Sequence, residues 1–582
     1  MIRLFPQHTR RKAESLDGVW TYLFPKSGMR IAADARQDNA EVVTARLSVP
    51  GVWEMHPDRA NYRGEAIAIK HIRLESDGPV RFVFAGVSHT CRVLWDGVEI
   101  ASHHNAYTGF DAVLPHAKAG EHELRLHITN EHGELSALHI PNDYYNYGGI
   151  SRPVAIQHLQ ENVFIEWMHL APGIDADPRR VHCALRLRNI GETDFVGSVD
   201  ICSEENGDPA RPMARLDVAV RGNHHAVVEA ELHLPEASLW TPESPSLVSV
   251  RAELGDGVRI FDDLLERTGL RTVEVRDRKI LLNGNPIRLA GFNRHEDHPD
   301  YGCAIPVPIM LKDIDLMRSM GANAVRGAHY PCDSRFLDLC DEFGLLVWEE
   351  NHARGLRDEK FEHPRLREQC LACNEEMVAQ HFNHPCIIMW GILNECMSDS
   401  EYGREVYAEQ FDQLRTLDPS RPLTYATFRM REDLCQDLPD ICGWNQYPNW
   451  YIHQKPNECL DIIFEYQDSR GLAERPLIIS EFGAGAITGF RDPIRKGKWS
   501  EERQCELLEE LFADYCTNPR VEGLFIWQFC DVRVDETWAM QRPRTMNNKG
   551  IVDEYRRPKL AAGTVKKWLT EWLDQEAPKQ RT

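Results

Sequence analysis

The chain has 582 residues, of which 42% are hydrophobic and 27% charged, a composition typical of globular proteins. Its formal net charge of -23 argues against the broad basic face that a nucleic acid or an anionic membrane would require as a partner. This length predicts about three or four domains of about 150 residues each.

The N-terminal stretch MIRLFPQHTRRKAESLDGVW has no apolar segment of signal-peptide length, and no run of about 18 apolar residues follows it. The 16 cysteines lack a repeated spacing and often lie in apolar runs, as free thiols do in a reducing cytosol. One CxxC, Cys370 to Cys373, has neither a second pair nor a histidine at ligand spacing. We therefore expect a cytoplasmic protein without membrane spans, metal or cofactor.

Residues 1–158 alternate apolar and polar side chains, as in HELRLHITN, which predicts an all-β domain. Within it, VLWDGVEI places Asp96 and Gly97 as a hairpin turn between two strands. Residues 159–270 continue the pattern in ALRLRN, RLDVAV and VVEAELHL, at a length that suits an immunoglobulin-like β-sandwich.

From residue 271 to 582 short apolar runs alternate with helical patterns, which is typical of parallel β/α units. Gly321 and Gly344 each end a helical pattern, at the position where a glycine terminates a helix. The apolar runs are IRLAGF, ANAVRGA, LLVWEE, CIIMWGILNE, PLTYAT, ICGWNQY, PLIISEFG and VEGLFIWQF. These runs predict a TIM barrel.

Two of these runs end in a glutamate. CIIMWGILNE presents Asn394 and Glu395, and PLIISEFG presents Ser480 and Glu481. At about 31 residues per β/α unit the two acids fall on strands four and seven, and active sites of TIM barrels form at such strand ends. We therefore expect both carboxylates in one barrel mouth, where a pair of acids suits glycoside hydrolysis. The alternative is that either acid only pairs with a barrel arginine such as Arg326.

The chain resembles glycoside hydrolase family 2 over nearly its whole length. LDGVW, NYGGISRPV and LWTPESPSL resemble the family's sugar-binding jelly roll and its sandwich. GFNRHEDHPDYG, AVRGAHYP, WGILNE and SEFG resemble its barrel motifs. The resemblance implies that Glu395 is the acid/base, Glu481 the nucleophile and Asn394 the partner of the sugar 2-OH. A general acid needs a raised pKa, whereas a nucleophile needs hydrogen bonds that keep it charged.

The same resemblance implies further sugar-binding residues. Tyr447 matches a tyrosine that contacts the nucleophile, and Trp527 would form an apolar platform at the end of strand eight. His295 and His329 would hydrogen-bond sugar hydroxyls. The alternatives are that Tyr447 and Trp527 only pack in the core and that His295 and His329 are ordinary loop histidines.

RTMNNKGIVDEYRRPKLAA, after strand eight, resembles the Asn-x-Lys signature of β-glucuronidases, in which the two residues hold the sugar carboxylate. Here they are Asn547 and Lys549, and Trp450 and Tyr451 match residues bordering that subsite. A positioned ammonium and an amide offset the desolvation of a uronate. The alternative is a solvated loop lysine.

Some positions depart from that pattern. The arginine that usually precedes the motif is replaced by Pro543, and Arg542 or Arg544 would have to substitute. The acid that relatives aim at the sugar hydroxyls from the β-domains aligns with Trp167, which leaves recognition of the 4-OH open. WEENHARG lacks the Glu-x-His pair of the galactosidases' magnesium site, so no metal is implied.

The leading hypothesis is a retaining exo-acting β-glucuronidase that takes a small glucuronide or a uronide-ended oligosaccharide. The alternatives are a β-galacturonidase or dual β-hexuronidase, a β-galactosidase, and a non-catalytic carbohydrate-binding protein. Relatives assemble into dimers or tetramers, so a homo-oligomer is expected.

Overall fold

The computed structural model describes residues 2–26, 32, 41–173, 177–205 and 208–575. Two antiparallel β-rich parts precede a closed barrel of eight parallel strands. The predicted fold class, a jelly roll and an immunoglobulin-like sandwich followed by a TIM barrel, is confirmed.

The N-terminal part is built from two main antiparallel sheets. Its strands are β1 (Lys12–Ser15), β2 (Gly18–Pro25), β3 (Val42–Val49), β4 (Gly51–Val52), β5 (Glu65–Leu74), β6 (Gly78–Phe84), β7 (Thr90–Trp95), β8 (Val98–His104), β9 (Phe110–Ala117), β10 (Gly120–Thr129), β11 (Gly149–Ile150) and β12 (Val154–His158). The sheet orders are β1-β12-β6-β9 and β3-β2-β5-β10-β7-β8, with β11 paired to β4. One core of aromatic and aliphatic side chains from both sheets joins them.

The predicted hairpin lies between β7 and β8. Asp96 and Gly97 both have positive φ, 49° and 83°, which is the backbone of a type I′ turn. The predicted alternation also holds in β10, where Leu124, Leu126 and Ile128 are buried.

The second part is a sandwich with its own apolar core. Its strands are β13 (Val163–Pro172), β14 (Arg180–Asn189), β15 (Phe195–Glu205), β16 (Asp208–Val220), β17 (His225–His233), β18 (Val248–Gly255) and β19 (Ile260–Thr268). They form the sheets β13-β14-β17 and β16-β15-β18-β19.

A small sheet leads into the barrel, and its apolar side chains join the barrel core. It contains β20 (Val273–Arg276), β21 (Lys279–Leu282) and β22 (Asn285–Ile287). The barrel strands are β23 (Leu289–Arg294), β24 (Ala324–Gly327), β25 (Leu346–Glu350), β26 (Ile387–Ile392), β27 (Leu423–Thr427), β28 (Ile441–Asn445), β29 (Leu477–Phe482) and β30 (Val521–Ile526). Seven of the eight predicted apolar runs contain a whole barrel strand, and the run IRLAGF overlaps β23; every strand residue is buried.

The helices are α1 (Val307–Ser319), α2 (Ser334–Phe343), α3 (Leu366–His381), α4 (Glu401–Leu417), α5 (Pro456–Ser469), α6 (Glu501–Tyr515), α7 (Glu536–Ala539) and α8 (Ala561–Asp574). Gly344 caps α2 with φ 69°, in the left-handed conformation that favours glycine, and Gly321 follows α1 with φ 85°. None of the helices in the described ranges is both long and apolar enough to span a bilayer.

The strict alternation of strand and helix fails once. Residues 428–440, between β27 and β28, contain no helix. This connection runs close to the barrel mouth, because Phe428 and Met430 line the cavity there. A short strand pair, β31 (Val532–Arg533) and β32 (Met546–Asn547), follows β30.

Buried contacts fix the N-terminal part to the barrel. Arg152 donates to the Tyr107 carbonyl at 2.6 Å, to Glu296 at 3.1 Å and to the Pro331 carbonyl at 2.7 Å. The ring of Tyr107 stacks on that of Tyr330, with centroids 3.8 Å apart. These contacts hold loops of the first β part against loops that follow β23 and β24.

At Gly291 the neighbouring barrel strand packs too closely to leave room for a side chain. A Cβ on Gly291 would lie 1.7 Å from the Ala324 carbonyl oxygen on the neighbouring strand, whereas a Cβ on Gly563 in α8 would have nothing within 4 Å. Gly291→Ala should therefore destabilise the protein by about 1–3 kcal/mol or more. Gly563→Ala should stabilise it by about 0.5–1 kcal/mol, because alanine is the better helix former. Thermal unfolding of both variants checks this, and equal melting temperatures would contradict it.

Candidate active site

A cavity of about 430 Å³ opens at the carboxyl ends of the barrel strands. Both predicted glutamates line it, Glu481 within β29 and Glu395 just after β26. The full lining is Asp143, Arg354, Glu395, Phe428, Met430, Asn445, Gln446, Tyr447, Tyr451, Ile452, Glu481, Trp527, Trp538, Gln541, Arg542 and Lys549.

Glu481 is held by two strong donors. Its Oε1 accepts from Arg326 Nη1 at 3.1 Å, and its Oε2 accepts from the Tyr447 hydroxyl at 2.8 Å. His329 Nε2 lies 3.8 Å from the same Oε1. Donors on both oxygens fix the orientation of the carboxylate and favour its charged form. The ion pair between a barrel arginine and one of the acids, which the sequence left open as an alternative, is therefore present between Arg326 and Glu481.

Arg326 connects this acid to the rest of the barrel interior. Its Nε and Nη2 donate to the two oxygens of Glu350 at 3.0 Å each, and Nη2 also donates to Asn394 Oδ1 at 2.8 Å. Glu350 Oε1 in turn lies 2.7 Å from His329 Nδ1. One guanidinium thus positions three of the predicted site residues: Glu481 and Asn394 directly, and His329 through Glu350.

The backbone at Glu395 has an unusual conformation. Leu393 and Glu395 have φ values of 47° and 53°, a left-handed conformation that costs energy in residues other than glycine and is concentrated at functional sites. The Glu395 N–H donates to the Ala426 carbonyl at 2.9 Å. Its Oε1 accepts from Asn445 Nδ2 at 2.8 Å, and its Oε2 lies 3.8 Å from Arg354 Nη2. These contacts turn the carboxylate into the cavity.

The two acids interact electrostatically. Burial and the neighbouring Glu395 carboxylate raise the pKa of Glu481 to about 8, against the opposing effects of Arg326 and Tyr447. At neutral pH the site therefore retains a proton, which belongs to the pair of acids. The hydrogen bonds to Glu481 do not by themselves keep its pKa low, because burial and the Glu395 carboxylate outweigh them.

Three predicted hydroxyl-binding residues lie beside the cavity wall and have free polar atoms. Asn394 Nδ2, His295 Nε2 and His329 Nε2 are buried without a hydrogen-bond partner. His295 Nδ1 is 3.2 Å from the Tyr330 hydroxyl. Burial lowers the pKa of His295 to about 3 and that of His329 well below its usual value, so both rings are neutral. Buried polar atoms without partners are rare, and hydroxyl groups of a sugar would satisfy these.

The predicted uronate-binding residues form a cationic wall. Asp143 accepts from Arg542 Nη2 at 3.2 Å and from Asn547 Nδ2 at 3.3 Å, and it pairs with Arg354 at 3.1 Å. Although burial raises the pKa of Asp143, Arg354, Lys549 and Arg542 together lower it to about 2. Lys549 is 2% exposed, and no ion pair of Lys549 occurs within the described ranges.

The predicted aromatic residues divide into two groups. Tyr451 and Trp527 line the cavity, and the Trp527 ring stacks on His329 at 5.0 Å. Trp450 is not part of the lining; it packs edge-on against Trp499 at 5.0 Å. Trp450 thus supports the neighbouring loop instead of bordering the cavity.

Two positions that depart from the family pattern lie in different parts of the structure. Trp167 stacks on His169 in a separate groove, away from the two glutamates, and the acid that the N-terminal part contributes to the cavity lining is Asp143. Arg542 lines the cavity, whereas Arg544 pairs with Glu554.

Sequence reasoning missed several lining residues. Asn445 ends β28 and was detectable by the rule that identified the two glutamates, a polar residue after a buried strand. Asp143 and Arg354 lie in irregular loops, and no periodicity marks them. Their place depends on contacts between distant parts of the chain.

Among the described residues, Asp341, His384 and Cys386 lie close enough to hold a metal ion. They lie at the amino-terminal end of the barrel strands, away from the glutamates. Asp341 contacts His384 Nδ1 at 2.5 Å and accepts from the Cys386 N–H at 3.0 Å, so the group already forms internal hydrogen bonds. The CxxC pair is not part of it.

Comparisons with known proteins agree with this architecture. The sequence model of the "Glycosyl hydrolases family 2, TIM barrel domain" matches residues 273–572. The β-glucuronidase of Sus scrofa is 30% identical over 96% of this chain and 91% of its own. A β-galacturonidase from Eisenbergiella tayi, solved with galacturonate, is 42% identical with a TM-score of 0.91, covering 98% of this chain and 99% of its own. A β-glucuronidase from Ruminococcus gnavus, solved with uronic isofagomine, is 26% identical with a TM-score of 0.83, covering 97% and 99%.

A barrel with two glutamates at its mouth, matched by the family model and by these relatives, identifies a glycoside hydrolase. The chain belongs to glycoside hydrolase family 2.

The raised pKa of Glu481 predicts a pH-dependent stability. Its ordinary value is 4.5 and its value in the fold is about 8, so the folded state binds the proton more tightly between these values. The free energy of unfolding therefore falls as pH rises from about 4.5 to 8. Glu481→Gln removes this loss, so its melting temperature relative to wild type should be higher at pH 8.5 than at pH 5, by about 2 °C or more.

The matched control is Glu474→Gln, because Glu474 is an exposed glutamate with a side chain 76% accessible. Its melting temperature relative to wild type should not change with pH. A difference for Glu481→Gln that is the same at both pH values would contradict the assignment.

Proposed function

We propose that the protein is a retaining, exo-acting β-hexuronidase that cleaves a terminal uronic acid from a small uronide or a uronide-ended oligosaccharide. The observation that carries this proposal is the cationic wall of Lys549, Arg542 and Arg354, which lines the same cavity as the two glutamates. The two glutamates would cleave the glycosidic bond, and the cationic residues would bind the carboxylate of the same sugar.

The electrostatics support an anionic sugar. The chain carries a net charge of -23, yet Arg354, Arg542 and Lys549 line one side of the cavity, with Asp143 as their acidic neighbour. Burying a carboxylate is costly unless charged donors receive it. Lys549 Nζ lies 5.1 Å from the Tyr451 ring centroid, so an aromatic face positions the ammonium without neutralising it.

The proposed reaction has two steps. Glu481 attacks the anomeric carbon and forms a glycosyl ester, while Glu395 gives its proton to the departing glycosidic oxygen. Glu395 then takes a proton from water, which attacks the anomeric carbon and releases Glu481 and the free uronic acid. Arg326 and Tyr447 hold Glu481 in line, and Asn394 Nδ2 donates to the sugar 2-OH.

Retention requires carboxyl groups about 5 Å apart. The Glu395 carboxylate helps to raise the pKa of Glu481, and this interaction supports a short separation. The hydrogen bond from Asn445 to Glu395, combined with the 2.7 Å bond from the Ser480 hydroxyl to Asn445 Oδ1, also ties the ends of the two catalytic strands together.

The relatives favour two uronic acids. The solved relative at 42% identity is a β-galacturonidase bound to galacturonate, which supports a β-galacturonide as the preferred substrate. The Asn-x-Lys motif and the relatives named β-glucuronidase support a β-glucuronide as the second candidate. A β-galactoside would leave the cationic wall without a counter-charge, and a purely binding protein would leave the paired glutamates without a use.

Assays on 4-nitrophenyl β-galacturonide, β-glucuronide and β-galactoside test the proposal. We expect turnover of the uronides, with the galacturonide first and the galactoside at least about 100-fold poorer. Lys549→Ala should lower kcat/KM for the uronide by about 10- to 150-fold, because a hydrogen bond to a charged group contributes about 1.5–3 kcal/mol.

The control is Lys566→Ala, which removes an exposed lysine of α8 and should leave kcat/KM unchanged. Melting temperatures verify that both variants fold. Hydrolysis of the galactoside alone, or full uronide turnover by Lys549→Ala, would contradict the proposal.

A further inference from the structure

The cavity extends beyond the proposed uronate site on the side of the acid/base candidate. Glu395 is tied to β27 by its hydrogen bond to the Ala426 carbonyl, and Phe428 and Met430 follow in the same connection. Lys549 belongs to the segment after β30, three strands away around the barrel. Because the acid/base protonates the departing oxygen, the leaving group must lie on the Glu395 side.

An exposed aromatic ring stands at this side of the cavity. Phe428 lines the cavity and is 41% exposed, in a barrel whose strand residues are all buried. Met430 lies beside it in the lining. Apolar rings of this kind stack on sugar or aryl rings, which have apolar faces of their own.

Two arginines contact this ring, and one of them already forms an ion pair. The Arg429 guanidinium carbon lies 5.3 Å from the ring centroid, but Arg429 pairs with Asp399. The Arg357 carbon lies 5.8 Å from the same centroid. Arg357 is exposed and has no ion pair or side-chain hydrogen bond within the described ranges. A positive charge is therefore available next to an exposed apolar ring.

We propose that Phe428 and Arg357 form a leaving-group subsite for a ring that carries a carboxylate. The ring of the leaving group packs on Phe428, and its carboxylate pairs with Arg357. This inference rests on the proposed function, because it uses Glu395 as the group facing the departing oxygen. Two ligands share this chemistry, a second uronate residue of an oligosaccharide and an aromatic acid.

The test uses two β-uronides that differ only in the charge of the leaving group, with 4-hydroxybenzoate and its methyl ester as leaving groups. The ratio of kcat/KM for the acid to kcat/KM for the ester is measured in wild type and in Arg357→Gln. The comparison cancels the intrinsic difference between the two phenols. We expect Arg357→Gln to lower this ratio about two- to fivefold, the range of an exposed ion pair, and to leave the ester unchanged.

Arg431→Gln is the matched control, because Arg431 is an exposed arginine in the connection that carries Phe428 but pairs with Glu465 at 2.8 Å. Its ratio should equal that of wild type. Phe428→Ala should lower kcat/KM for both aryl uronides about threefold or more, and should leave a methyl β-uronide unaffected, since methanol has no ring to pack.

A further arm distinguishes the two natural sources by comparing a uronosyl-uronate disaccharide with a disaccharide in which the second sugar is neutral. If Arg357→Gln lowers the ratio of kcat/KM for the uronosyl-uronate to kcat/KM for the neutral disaccharide, the subsite is assigned to oligo-uronides. If it lowers only the ratio for the 4-hydroxybenzoate pair, the subsite is assigned to aromatic acids. Uronide hydrolysis with both ratios unchanged in Arg357→Gln would overturn the inference alone. A wild-type enzyme that hydrolyses no uronide would overturn the proposed function and the subsite with it.

Discussion

The buried Arg326 guanidinium is the interaction on which the site depends. It donates to both oxygens of Glu350, to Glu481 and to Asn394, and its Nη1 also donates to Asn293 at 3.1 Å. A fully buried cation is costly unless acids and acceptors surround it, and each acid here would be equally costly without the cation. The barrel therefore specifies one arrangement of these side chains before any substrate arrives. The consequence for chemistry is a preorganised carboxylate that does not need to reorient during the reaction.

The N-terminal β part completes this site. Asp143 and Tyr144 come from a loop of that part, and they contact Arg354 and His352 in the barrel. The Tyr144 ring also stacks on His295 with centroids 4.6 Å apart. A barrel without this loop would keep its two glutamates but lose the acid that organises the cationic wall. The dependence of the site on both parts gives a physical reason for keeping them in one chain.

The sequence predicted the barrel and its two acids because parallel strands impose a simple rule, a buried run that ends in a polar residue at the barrel mouth. Glu395, Glu481 and Lys549 all follow from local patterns or motifs. Asp143 did not, because its role comes from a contact between loops far apart in the chain. The absence of a helix after β27 was not predicted either, since a helical pattern was assumed for every connection. The boundaries of the three predicted domains remain predictions.

We propose that Glu481 is the nucleophile of a retaining enzyme that acts on uronides. The direct measurement is incubation with 2-deoxy-2-fluoro-β-galacturonosyl fluoride and its glucuronosyl counterpart, followed by mass spectrometry of the digested protein. We expect one fluorouronosyl group, attached to the peptide that contains Glu481 and absent after Glu481→Gln. Attachment at Glu395, or rapid hydrolysis of natural uronides with inversion and no covalent adduct, would contradict it.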